Sequence, residues 1–178
     1  ADVILSVVAD SYAARAVHRG DAGSLAGAER GAVLLESSTV TPAWIHELGQ
    51  AAGASGLRLL DAPVVGSRPQ AEAGVLAFLV GGEASDVEDA RPRLDVMGKA
   101  VVHAGALGHG ALLKLLVNGL LATQIAALAE GLAFARAHGM DEGETLERLS
   151  ALPVLSPAAQ GMGGLMVAGN DAPQFTLP

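Results

Sequence analysis

Cysteine is absent from the sequence, which excludes disulfides, thiolate nucleophiles and Cys-ligated zinc or iron–sulfur centres. Charge is scarce: 17% of residues are Asp, Glu, Lys or Arg, and the net charge is -8. No run of Lys or Arg supplies the basic stripe that a phosphate backbone requires, so nucleic-acid binding is not expected. The five histidines are scattered without metal-ligand spacing, and no metal site is expected. The apolar run Ala111 to Leu121 is interrupted by Lys114 and Asn118 and is shorter than the roughly 20 residues of a membrane span. A soluble, cytoplasmic protein follows as the expectation. The opening Ala-Asp-Val-Ile-Leu-Ser-Val-Val has no basic flank and no small-residue cleavage site, and it reads as a strand instead of a secretory signal. A chain that opens on a strand without Met and stops at Phe175-Thr-Leu-Pro178 lacks the loose polar ends usual for natural termini, and is expected to be a piece of a longer polypeptide.

What is present is apolar substance. Hydrophobic residues make up 51% of 178 positions, enough to bury a sizeable core. The first hundred residues alternate short β-rich runs with helical stretches, the pattern of crossover connections and a mainly parallel sheet. Strands are expected at Val3–Val8, Ala32–Glu36, Leu57–Leu60, Val75–Val80 and Ala100–His103. Helices are expected at Ser11–His18, Pro42–Ala52 and Ser85–Leu94, the second with Thr41 as N-cap and Pro at its first position. From Gly108 to His138 a Leu- and Ala-rich stretch without proline predicts one long helix, apolar around most of its circumference and therefore buried on several sides or placed at a subunit interface. Two further helices are expected near Glu142–Ala151 and Pro157–Ala168. No internal repeat is present.

Three segments carry residues suited to chemistry. Lys114 and Asn118 are four residues apart, which places both polar heads on one face of the apolar helix. Desolvation lowers a lysine's pKa toward the range where it exchanges protons with a carbonyl or carbinol oxygen; the alternative is a lysine that snorkels from the helix edge. Asp61-Ala-Pro-Val-Val-Gly-Ser-Arg-Pro-Gln-Ala-Glu-Ala-Gly74 is a Gly- and Pro-punctuated loop at a strand end, able to aim N–H groups at a carboxylate or to serve only as a connection. Arg68 in that loop could meet a substrate carboxylate or Glu72. Glu36-Ser-Ser-Thr-Val-Thr-Pro42 closes a strand and opens a helix, where doubly wound sheets place ligands; Ser38 and Thr39 could touch a ligand there or merely cap.

Taken in order, these segments resemble the β-hydroxyacid dehydrogenase family, which includes 3-hydroxyisobutyrate dehydrogenase, tartronate semialdehyde reductase and glyoxylate/succinic semialdehyde reductases. Ala1 to Asp10 is similar to the fourth strand and cofactor loop of that family's dinucleotide domain. Glu36 to Pro42 matches its acidic, Ser, Ser/Thr, Thr, Pro-ended segment. Asp61 to Gly74 with Val75 to Gly82 matches its substrate signature, and Gly105 to Asn118 its Gly-x-x-Gly-x-x-x-x-x-Lys-x-x-x-Asn helix. The resemblance implies an α/β chain. Residues 1–104 would be the C-terminal part of a Rossmann-type dinucleotide-binding domain, and 105–178 a long helix leading into an incomplete all-α domain. It implies an NAD(P)-dependent oxidoreductase in which Lys114 donates or accepts the proton and Asn118 orients the same oxygen. Val65, Gly66 and Ser67 would hold the carboxylate of a small β-hydroxy acid, semialdehyde or 2-oxo acid, with Val8, Ala9, Ala13 and Thr39 against NAD or NADP. A homodimer or homotetramer is implied as well.

Departures from the family pattern are Val65 in place of a serine, Ser67 where glycine is common, and Val8-Ala9 for Leu-Pro. The Gly-x-Gly-x-x-Gly turn that receives the pyrophosphate does not occur. The family's second lysine, in a Lys-Asp pair, would fall beyond Pro178. The competing implications are a non-catalytic dimerising module or pseudoenzyme of the same fold, and an imine reductase-like enzyme.

Overall fold

The computed structural model describes residues 1–170 and 172; Phe175 to Pro178 lie outside the described residues. In chain order the elements are β1 (Val3–Ser6), α1 (Ser11–His18), α2 (Ser24–Gly27), β2 (Val33–Glu36), α3 (Pro42–Ala54), β3 (Arg58–Asp61), β4 (Val64–Val65), α4 (Arg68–Glu72), β5 (Leu76–Gly81), α5 (Ala84–Met97), β6 (Gly98–Gly105), α6 (His109–Ala137), α7 (Glu142–Ser150) and α8 (Pro157–Val167). The chain divides into two compact units between Leu115 and Leu116. The sequence reading ends the first domain at 104. The first unit continues into α6 because the opening turn of that helix is hydrogen-bonded to the end of β3.

In the first unit β1, β2 and β3 run parallel, in register from Val3↔Val33↔Arg58 to Ser6↔Glu36↔Asp61. The parallel run then stops, unlike a continued doubly wound sheet. β5 lies antiparallel to β3 and β4, and β6 is parallel to β5. The reason is local: after Asp61 the chain carries on as β4 and returns through the short helix α4, leaving no helical crossover between β3 and β5. Neither β4 nor α4 is visible as periodicity in so short a segment.

β2 is buried at all four positions, as expected for a parallel strand covered on both faces. Alternation distributes its side chains between two cores. Leu34 packs with Trp44, Ile45 and Leu48 of α3. Val33 and Leu35 pack with Leu60, Phe78, Val80, and Val87, Ala90 and Leu94 of α5. Thr41 caps α3 by accepting from the Trp44 N–H (3.2 Å), with Pro42 in the first turn.

The buried end of β2 is polar, and its carboxylate is networked. Glu36 and His18 are both sealed from solvent. The His18 Nε2 lies 2.8 Å from one carboxylate oxygen of Glu36 and its Nδ1 lies 2.6 Å from the Ser24 hydroxyl. The Ser38 N–H donates to the other carboxylate oxygen (2.9 Å). Burial pushes the Glu36 carboxyl up, but the hydrogen bonds from His18 and Ser38 outweigh it and hold the group below its ordinary value.

The second unit comprises the rest of α6 with α7 and α8. Gly163 of α8 is where these helices close. A Cβ there would stand 2.8 Å from Leu146 and 2.9 Å from Leu128. The Gln124 carboxamide oxygen accepts from the Ser156 N–H (3.0 Å) and hydroxyl (2.6 Å), and Ser156 caps α8. By length and composition α6 suffices to cross a membrane. The apolar run ending at Leu121 is only the first part of this helix, which Gly119, Thr123 and Gly131 do not interrupt.

A carboxyl lowered on folding adds stability that is complete above its unfolded value and lost as the pH falls through its folded value. Glu36→Gln should therefore lower stability by about 1–3 kcal/mol at neutral pH, as expected for a disrupted buried network. In urea melts the gap should narrow as the pH falls from the ordinary carboxyl value of 4.5 through the lowered folded one; an unchanged gap would contradict this account.

Candidate active site

Two loops meet at the carboxyl ends of β1 and β2, the edge where open α/β sheets bind ligands. The Val8 N–H donates to the Ser38 hydroxyl (2.8 Å), which ties the β1–α1 segment to the β2–α3 segment. The Thr41 N–H donates to the Ser11 hydroxyl (3.2 Å). Asp10 caps α1 by accepting from the Ala13 N–H (2.7 Å). Val8, Ala9, Ala13 and Thr39, the residues expected at a cofactor, are thus gathered on one side of the first unit. The amides of Val8 and Ala13 are spent within the chain. Ala9 and Thr39 are exposed, and Val7 beside them is 64% exposed although apolar.

This edge fits part of a dinucleotide. The buried hydroxyls of Ser6 and Ser37, at the ends of β1 and β2, have no hydrogen-bond partner among the described residues. Close to them in the chain, Thr39 and the apolar Val7 offer an exposed hydroxyl and an exposed apolar side chain. The cations Arg15 and Arg19, on α1 and just after it, both pair with Glu47 at 2.6 Å. A concavity of about 460 Å³ between the C-terminal ends of α1 and α3, lined by His18, Arg19, Leu25 and Ser55, contains none of the expected site residues.

The substrate loop begins at β3. Val65 belongs to β4 and pairs with Ala77. Gly66 has φ +131°, and a Cβ there would stand 2.9 Å from Leu76 and 3.0 Å from Gln70, so only glycine fits the turn. Ser67 opens α4. Its N–H (2.9 Å) and hydroxyl (2.8 Å) both donate to the Gln70 carboxamide oxygen. Arg68 pairs with Glu72 at 2.7 Å in the open, the second of the two partners left open by the sequence.

Lys114 stands in the second turn of α6, half-buried, with no ion-pair or hydrogen-bond partner among the described residues. Burial alone holds its ammonium below the ordinary value of 10.5. Asn118, one turn further on, is exposed and belongs to the second unit.

Sequence reasoning passed over one group. Asp61, quoted only as the first residue of the substrate loop, is wholly buried. One carboxylate oxygen accepts the Gly108 N–H (2.8 Å) and the other the Ala111 N–H (2.7 Å), at the start of α6. Burial pushes its carboxyl up, against these amides and those of Asp61 and Gly110, which favour the charged form. The available signals were the glycines at 81 and 110, which leave it room, yet its partners lie 47 and 50 residues away.

Comparison with known proteins agrees with the motifs. The chain is 38% identical over 164 residues to an NAD-dependent L-serine dehydrogenase of Pseudomonas aeruginosa, covering 88% of this chain and 55% of that protein. It is 39% identical to a 3-hydroxyisobutyrate dehydrogenase of the same organism, covering 79% and 47%. The chain therefore spans about half the length of these curated relatives. Among solved structures, a Mycobacterium tuberculosis 3-hydroxyisobutyrate dehydrogenase with L-serine superposes with TM-score 0.81 at 31% identity, over 89% of this chain and 53% of that one. The expected Rossmann-like α/β unit followed by a long helix and a helical region is borne out, as is the resemblance to these dehydrogenases. Residues 1–105, more than half of the 178, match the family described as the NAD binding domain of 6-phosphogluconate dehydrogenase, and the chain belongs to that family.

Proposed function

We propose that this chain carries the proton-transfer and substrate-holding half of an NAD(P)-dependent dehydrogenase. Its substrates would be small β-hydroxy acids or the matching semialdehydes and 2-oxo acids. The observation that carries the reading is Lys114: a half-buried ammonium without a partner among the described residues, lowered by burial, on a helix whose first turn is anchored beside the substrate loop. The dinucleotide supplies a hydride acceptor or donor. In reduction Lys114 gives a proton to the carbonyl oxygen as the carbon gains hydride, and in oxidation it takes the hydroxyl proton back. Asn118 orients that oxygen. Val65, Gly66 and Ser67 hold the substrate carboxylate, and Val8, Ala9, Ala13 and Thr39 line the cofactor. No residue of this chain distinguishes NAD from NADP.

We read α6 as the core helix of a helical domain and not as a membrane span, which fits a cytoplasmic enzyme, since the match to the solved dehydrogenase covers 89% of the chain. Its exposed Leu116, Leu120 and Phe134 are then covered by further helices or by a second copy in a homodimer or homotetramer.

In the full-length protein, NAD(P)H oxidation should be measured with glyoxylate, succinic semialdehyde, methylmalonate semialdehyde and tartronate semialdehyde, and NAD(P) reduction with L-serine and 3-hydroxyisobutyrate. Lys114→Ala should lower kcat by at least about 10² with cofactor affinity nearly intact; unchanged turnover would remove Lys114 from the mechanism. As a proton donor, Lys114 should set an alkaline limb on reduction that lies below pH 10.5 and vanishes in the variant. Gly66→Ala should raise KM about tenfold through roughly 1–3 kcal/mol of backbone strain in the loop, and an unaltered KM would exclude this turn from substrate binding.

A further inference from the structure

Asp61 joins three segments at one point. It is the last residue of β3, it pairs with Gly81 at the end of β5, and its carboxylate takes two amides from the start of α6. No Lys, Arg or His is hydrogen-bonded or ion-paired to it among the described residues. The surrounding backbone leaves space for this carboxylate and little else. A Cβ on Gly110 would stand 2.8 Å from one carboxylate oxygen and 2.7 Å from the Asp61 carbonyl oxygen. A Cβ on Gly81 would collide with the other carboxylate oxygen and stand 2.8 Å from the Ala106 carbonyl oxygen. Two glycines on separate elements are thus fitted to one buried acid.

We propose that Asp61 is a positioning residue: its carboxylate fixes where α6 starts against the substrate loop, and so places Lys114 relative to Val65, Gly66 and Ser67. The proposal rests on the reading of Lys114 given above. Four residues after Asp61 the chain reaches Val65, and three residues after Ala111 it reaches Lys114, so one side chain holds the roots of both. A slip of α6 by a single residue would rotate Lys114 by about 100°. A misplacement of about 1 Å is enough to cost roughly 10² in rate. An amide of the same size cannot substitute, because its NH₂ would face one of the two N–H donors.

The test compares Asp61→Asn with Lys114→Ala in the full-length protein, with kcat expressed per bound NAD(P)H so that loss of folded protein does not enter. Asp61→Asn should lower kcat by about 10² and leave the cofactor Kd within about twofold. If Lys114→Ala is impaired and Asp61→Asn keeps kcat and KM within about twofold of the parent, Asp61 has no positioning role and the functional reading stands. If Lys114→Ala is fully active, the functional reading fails and this role falls with it. Should Asp61→Asn not fold, amide exchange in the unaltered protein decides. The Gly108 and Ala111 amides must exchange as slowly as those of β2; exchange at the rate of an open loop would overturn the proposal.

Discussion

A carboxylate buried without a counter-cation survives only where backbone dipoles surround it, and the arrangement of the first unit turns on meeting that demand at Asp61. The start of α6 is a ready source, since the first amides of a helix have no partners within it and carry partial positive charge. Bringing that helix end to the end of β3 requires β6 to finish beside β5, with Gly105, Gly108 and Gly110 allowing the close turn. The glycines at the sheet's rim and the point where α6 departs both meet at this one acid.

The two buried acids of this unit show how partners decide the fate of a charge. Glu36 and Asp61 occupy corresponding ends of adjacent parallel strands, and both are closed to solvent. Glu36 has a histidine ring and an amide, and its carboxyl is held low. Among the described residues Asp61 has amides alone, and burial pushes its carboxyl up. Glu36 consequently acts through Ser38, whose amide it holds and whose hydroxyl holds Val8, to shape the edge suited to a cofactor. Asp61 acts on the substrate side. Under the proposed function each strand end serves one half of the site.

What the sequence disclosed follows from the range of the signals. Periodicity located α1, α3, α6, α7 and α8 to within a few residues, and Thr41 and Pro42 marked the start of α3 because they act on their neighbours. The strands of the parallel core were legible because burial on both faces makes them continuous apolar runs. The short α2, β4 and α4 were not, since a few residues carry no period. The family motifs singled out Lys114 and the loop at Val65 to Ser67 but gave no hint of the His18–Glu36 pair, set by contacts across 18 residues. Asp61 was in plain view as the head of a motif; only folding shows that it belongs to α6 as much as to the loop.

The departures at positions 65 and 67 acquire a physical meaning in the loop. Val65 faces its strand partner and offers no hydroxyl, so the side-chain donor in this stretch is Ser67. Both donors of Ser67 converge on one oxygen of Gln70, the arrangement that a carboxylate oxygen would require of them. Gln70 is exposed and, among the described residues, hydrogen-bonded only through that oxygen, so under the proposed function its side chain would swing into water at small cost when a charged acceptor arrives. A charged acceptor makes hydrogen bonds roughly twice as strong as a neutral amide does, and the exchange therefore favours the substrate. Under the proposed function a serine at 65 with glycine at 67 would hold the same carboxylate by different contacts.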